Sequence, residues 1–292
     1  MLHCIPTDKV TKKPTEADRL YLFIFQSSCF LRFSWPEWTK NTIFVACLLQ
    51  QTANNSKPET EKMTASLNDP TIKMGDLVTA HPELVMILPR MGIALGFGDR
   101  SVADVCHRHG VNPDFFLLMC NVYCFAQYAP GREQILSTDM TCLVPYLRNS
   151  HDYYVHRQLP HIEHHLHRIA EHLPERVGMV LRRFFEVYRA EVLAHFGHED
   201  NTVFRHIEAL QTGQSDTTYC MSDFVKSHGN LEEKLGDLVQ IIFKYLPESA
   251  TGDDTVDVVY DILQLSTDLN RHSLVEEKVM VPYVMHLERS VK

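Results

Sequence analysis

From residue 140 onward, apolar positions recur at steps of three and four, the period of a helix with one buried face. Counted at about 100° per residue, Val155, Ile162, Leu166, Ile169 and Leu173 share a face, and His151 stands in line with them. A second helix, from about 175 to 206, carries Leu181, Phe184, Tyr188 and Val192, and its stripe runs on into His195 and Glu199. Beyond the Gly/Ser/Thr-rich stretch 212–218, a third stripe aligns Phe224, His228, Leu231, Leu235, Leu238 and Ile242, and Pro247 ends it. A fourth aligns Val258, Leu265, Leu269, His272, Glu276 and Val279, up to Pro282. Amphipathic helices joined by polar loops predict an all-α, up-down four-helix bundle over residues 145–288.

Two stretches precede it. Residues 72–130 predict a small helical domain. His81-Pro82-Glu83-Leu84 enters a helix with Ile87 and Leu88, and Gly92, Gly96 and Gly98 mark a turn. Ser101 and Asn112 stand where helix caps belong, ahead of Val102, Val105 and Cys106 and of Phe115, Leu118, Met119 and Val122. Cys120 and Cys124 lie one turn apart and read as buried thiols of this small core. Residues 1–62 read differently, with an interrupted apolar run at 20–33 and a polar linker at 51–62. They are either a poorly ordered N-terminal extension or sequence upstream of an authentic start at Met63, with a membrane anchor a distant third. The apolar run is short for a membrane span, and no signal-peptide pattern is recognisable.

The composition narrows the function. Net charge is −9 over 292 residues with no basic stripe, which disfavours nucleic acid as a partner. Eight cysteines without a C-x-x-C pair fit reduced thiols and a cytoplasmic location. The unusual count is 17 histidines, ten of them from His151 to His206.

A His-x-x-x-Glu pair places imidazole and carboxylate one helical turn apart, where both can reach metal. It occurs four times, at His167/Glu171, His195/Glu199, His228/Glu232 and His272/Glu276. His167 falls on the outer face with His156 and His164, so its pair is discarded. His161, His165 and His172 lie at the flank, His165 being the one rival to His151, and His198 and His206 read as flank residues too. Glu199 and Glu276 instead stand in core stripes, where a lone carboxylate carries a large desolvation penalty that a cation removes. The candidate metal ligands are therefore His151, His195, Glu199, His228, Glu232, His272 and Glu276. Imidazole and carboxylate donors suit iron, manganese or zinc.

These positions, together with Arg157-Gln158-Leu159-Pro160 and Val279-Met280-Val281-Pro282, resemble the hemerythrin-type di-iron bundle. The resemblance is to the version found in the repair-of-iron-centres family, linked to restoring damaged iron–sulfur clusters. Gly75-Asp76-Leu77-Val78, His81-Pro82-Glu83-Leu84, Met91-Gly92-Ile93 and Ser101-Val102-Ala103-Asp104-Val105-Cys106 resemble that family's small N-terminal domain. The resemblance implies two iron ions joined by an oxo or hydroxo bridge. They would be held by four histidines and by Glu199 and Glu276 as bridging carboxylates, with Glu232 added on one metal. It also implies a role in oxidative or nitrosative stress defence, handling nitric oxide or peroxide, or assisting an iron–sulfur protein client. The alternative is a non-catalytic module that binds or senses oxygen or iron, and a third reading is a bundle with a vestigial site. The family's adjacent cysteines are replaced here by Gly96-Phe97, so their thiol chemistry is not carried over.

Overall fold

The computed structural model describes residues 67–214, 219–227, 231–247 and 252–290. The expectations for residues 1–62 and for His228 lie outside these. Residues Ser66–Lys292 form one compact unit, all-α and without strands among the described residues.

The first part is a set of short helices. α1 (Met74–Ala80) buries Met74 and Leu77, and Pro82 then opens a 3-10 turn that leads into α2 (Ile87–Arg90). The next turn needs glycine: Gly92, Gly96 and Gly98 have φ of 71°, 88° and 60°, a region that side chains with a Cβ rarely enter. α3 (Val102–Arg108) starts at Ser101, whose Oγ accepts from the Asp104 backbone N–H at 3.1 Å. α4 (Pro113–Cys124) starts at Asn112, whose Oδ1 accepts from Asp114 N at 2.9 Å and Phe115 N at 3.0 Å. Phe115 to Tyr123 of α4 are buried on every face. A helix apolar all round has no solvent side, and α4 packs against both the preceding turns and a bundle helix. The short α5 (Arg132–Ser137) comes after it, in a stretch where the sequence pattern predicted no element.

The bundle is built from four rods. The first is α6 (Leu143–Tyr153), a π turn at Tyr154–Gln158, and α7 (Leu159–Glu171). The second is α8 (Glu175–His198), a π turn at Glu199–Val203, and α9 (Phe204–Gln211). The third comprises α10 (Met221–Ser227) and α11 (Leu231–Tyr245). The fourth is α12 (Asp253–Val275), a π turn at Glu276–Met280, and α13 (Val281–Ser290). α7 packs on α8, α8 on α11, α11 on α12, and α12 returns to α7, so the ring closes in chain order. Short connections between successive rods give this up-down arrangement. No helix among the described residues is long and apolar enough to cross a membrane.

The stripes are as expected along the regular helices: Ile162, Leu166, Leu181, Val192, Leu235, Leu238, Ile242, Val258 and Leu265 are all core residues. They slip where the helix is not α. A π turn carries one extra residue and rotates every later side chain about the helix axis. Tyr154 consequently takes the core position on the first rod and Val155 is half-buried. A separate difference lies within regular helix, ahead of the π turn: on α8, Phe185 is in the core and Phe184 half-buried. His206, expected at the flank, is buried, with Nε2 3.0 Å from Glu288 Oε1.

A buried ion pair ties the short helices to the bundle. Arg90, at the end of α2, donates through Nη1 to Asp268 Oδ1 of α12 at 3.0 Å and pairs through Nη2 with Oδ2. The same Nη1 donates to the hydroxyls of Tyr123 (3.1 Å) and Tyr154 (3.2 Å), and the Tyr123 hydroxyl donates to Asp268. Burial works against the guanidinium's charge, but Tyr154 and Asp268 more than offset it.

Candidate metal centre

Each π turn sits at one level of the bundle. Two begin on the glutamates of the core stripes, Glu199 and Glu276, and the third begins three residues after His151. Their closing backbone bonds run from Leu159 N to Tyr154 O, Phe204 N to Glu199 O and Val281 N to Glu276 O, five residues back instead of four. Such bulges recur at functional sites because they re-aim side chains without ending the helix.

At this level His151, Glu199, His272 and Glu276 meet, each offering one donor atom within 4.8 Å of the others. All four are buried, at 2%, 1%, 2% and 0% exposure. His151 Nε2 lies 3.2 Å from His272 Nε2 and 3.2 Å from Glu199 Oε2. His272 Nε2 lies 3.2 Å from Glu276 Oε1, and His195 Nε2 lies 3.1 Å from Glu199 Oε1. Two ring nitrogens and two carboxylates aimed at one small volume are the donor set of a cation site. Two buried carboxylates side by side repel strongly unless positive charge sits between them.

The rings are held from behind. His151 stacks on Phe196 (centroids 4.0 Å, interplanar 15°) and on Phe204 (5.3 Å, 21°). Tyr154 meets the His272 ring edge-on at 5.7 Å. Asp200 Oδ1 lies 3.1 Å from His151 Nδ1, so it fixes the ring with Nε2 facing the other donors. A carboxylate behind a ligating imidazole sets its tautomer and raises its basicity. Burial alone would lower the His151 pKa; hydrogen bonds that its ring donates to Asp200 and Glu199, with the Glu199 and Glu276 charges, instead push it up to about 9. The carboxylates thus favour positive charge at this point.

Of the other residues singled out in the sequence, His195 adjoins the group through Glu199, with its side chain 19% exposed. Glu232 lies at the level of Asn270, from which its Oε1 accepts at 3.4 Å, while its Oε2 is enclosed without a hydrogen bond. His165, the rival to His151, belongs to a separate group with His161 and Asp261. His156, His164 and His167 are exposed.

Sequence reasoning missed Asp200, Tyr154, Phe196 and Phe204. The only local signal for Asp200 is its place beside Glu199, and a regular helical wheel turns it away. An open cleft lined by Arg148, His151, Asp152, Phe196, Asp200 and Arg205 leads from the surface to the His151 ring.

Fold and donor set together describe a helical bundle whose buried His/Glu cluster could hold a cation. Residues 143–284 match the family model described as Hemerythrin HHE cation binding domain, a span that contains all four clustered residues. Comparison with curated proteins and with solved structures gives no match. Over these residues the chain is similar to that domain, and its His/Glu cluster is compatible with a bound cation.

Proposed function

We propose that the bundle holds two iron ions and serves in oxidative or nitrosative stress defence, handling nitric oxide or peroxide or assisting repair of damaged iron–sulfur centres. The observation that carries the metal reading is the convergence of His151, Glu199, His272 and Glu276 in a buried volume. In this reading His195 and, from its sequence spacing alone, His228 are the remaining imidazole ligands. Glu199 and Glu276 are the bridging carboxylates, and Glu232, with its enclosed Oε2, is an added ligand on one metal. Two ferrous ions bring four positive charges, which the three glutamates reduce to one, so the buried site is close to neutral. When bound, such a pair supplies open coordination positions for a small diatomic ligand or peroxide.

The chain's own residues do the rest. Asp200 holds a proton on His151 Nδ1 and keeps Nε2 free to ligate. Phe196 and Phe204 shield the ring, and the cleft beside it admits a small molecule from the Arg148 and Arg205 side. The proposed setting is the cytoplasm, with an iron–sulfur protein as client.

A second reading, reversible binding or sensing of oxygen or iron, is favoured by Glu232, because an added ligand closes a coordination position. The two separate in one experiment. The aerobically purified, iron-replete protein is assayed for metal and then given repeated additions of nitric oxide or peroxide. Close to two irons per chain and consumption over many equivalents support the defence reading. Saturation after one equivalent supports the binding module. A single tightly held zinc, or no metal after iron-replete expression, overturns both.

A further inference from the structure

The bundle carries more histidine than its buried centre uses, and three of the remaining groups converge elsewhere. His161 and His165 stand four residues apart on α7, a regular helix, so both rings rise from one face. Their centroids are 4.6 Å apart at 66°. Asp261 reaches them from the neighbouring α12, its Oδ2 3.1 Å from His161 Nε2. One ring nitrogen from each histidine and one Asp261 oxygen lie within 4.8 Å of one another.

We propose that His161, His165 and Asp261 form a second metal site, which takes one nitrogen-preferring divalent transition ion such as zinc. Two imidazoles at i and i+4 with one carboxylate give three ligands, and water fills a fourth position of a tetrahedral ion. Bonds of about 2.0–2.1 Å to such an ion set its donors about 3.3 Å apart. The His161–Asp261 separation already meets that distance, and a His165 ring nitrogen lies within 4.8 Å of both partners. The site is reachable, because the His161 side chain is 54% exposed and that of Asp261 27%. It is also separate from the buried centre. His161 is ten residues beyond His151, about 15 Å along the rod at 1.5 Å per residue, and no residue is common to the two groups.

The plain alternative is a surface His–Asp pair, which contributes little to stability. It leaves His165 unexplained: its Nδ1 is enclosed by protein and takes no hydrogen bond. An ion held by both rings explains why they converge on the carboxylate of the facing helix, and it would clamp α7 to α12.

The test uses the full-length protein as purified. It is dialysed against graded free zinc, and zinc and resident metal are counted separately. The expected result is one additional zinc per chain with no loss of resident metal. Zinc affinity falls at least 10-fold in His161→Gln/His165→Gln, and likewise in His161→Gln alone, whose exposed position leaves folding intact by circular dichroism. Affinity falls by a smaller factor in Asp261→Asn and is unchanged in His167→Gln. A Glu276→Gln variant, altered only in the buried centre, still takes up the additional zinc. Wild-type zinc uptake by the double variant overturns the proposal. So does equal weakening by His167→Gln, or zinc that enters only as resident metal leaves.

Discussion

The two ends of the bundle solve opposite problems. At one end, where α8 and α12 finish and α7 begins, the core holds His151, Glu199, His272, Glu276, Asp268 and Arg90, and the helices pass through π turns. At the other, where α7 ends and α8 begins, the core is Leu166, Ile169, Leu173 and Leu181, and the charged groups stay outside, as in the Arg168–Asp254 pair. The first end is specified by charge and the second by shape. Buried charges are kept only where other charges or a cation answer them, and that neutralisation requires side chains aimed more closely than a regular helix allows.

That contrast can be broken by substitution. The largest effect is expected for Glu199→Ala or Glu276→Ala, which should lose most of the metal and melt earlier. Metal that binds only the folded state stabilises it by mass action. Metal-to-protein ratios and melting curves, with His167→Ala as the exposed control, check this. Wild-type metal content in both glutamate variants would mean the faces are wrongly assigned.

Next is Asp268→Ala, which strands the Arg90 guanidinium in the interior and should destabilise by about 3–5 kcal/mol. Denaturant unfolding measures it, and the double replacement Arg90→Met/Asp268→Leu should recover most of the loss because it leaves no unpaired charge. Asp200→Asn should weaken metal binding about 10–100-fold while the melting temperature of the metal-free protein stays close to that of the parent. Competition with a chelator gives that number.

At the shape-specified end, Gly178→Ala should cost about 1–3 kcal/mol without touching metal affinity, because a Cβ there would lie 2.6 Å from the Ala170 carbonyl oxygen. A loss of metal in this variant would show that the two ends are not independent. The smallest effect belongs to Glu232→Ala. Both ions should remain, and only the rate of reaction with nitric oxide or oxygen should change, as stopped-flow absorbance would show.

The shape-specified end was the more legible in the sequence. Leu166, Leu181, Leu238 and Leu265 announce their faces through a period that holds for whole helices, and His151, Glu199, His272 and Glu276 stand out as polar breaks in those stripes. The charge-specified end was read less completely, for two physical reasons. A π turn resets the helical phase, so Tyr154 is buried where the wheel placed Val155, and Asp200 turns in beside Glu199. Pairing between remote segments also leaves no local trace. Arg90 and Asp268 are 178 residues apart, and only the fold shows that each is the other's counter-ion. A charged residue inside the apolar run Ile87-Leu88-Pro89-Arg90-Met91 was the available hint.

The glycine turn ahead of α3 limits what this chain can become. With φ at 88°, position 96 sits where any residue with a Cβ is strained by about 1–2 kcal/mol. Gly96→Cys would therefore carry that backbone strain, although the space around a Cβ at position 96 is open. A dithiol at this turn would thus cost stability through the backbone and not through crowding.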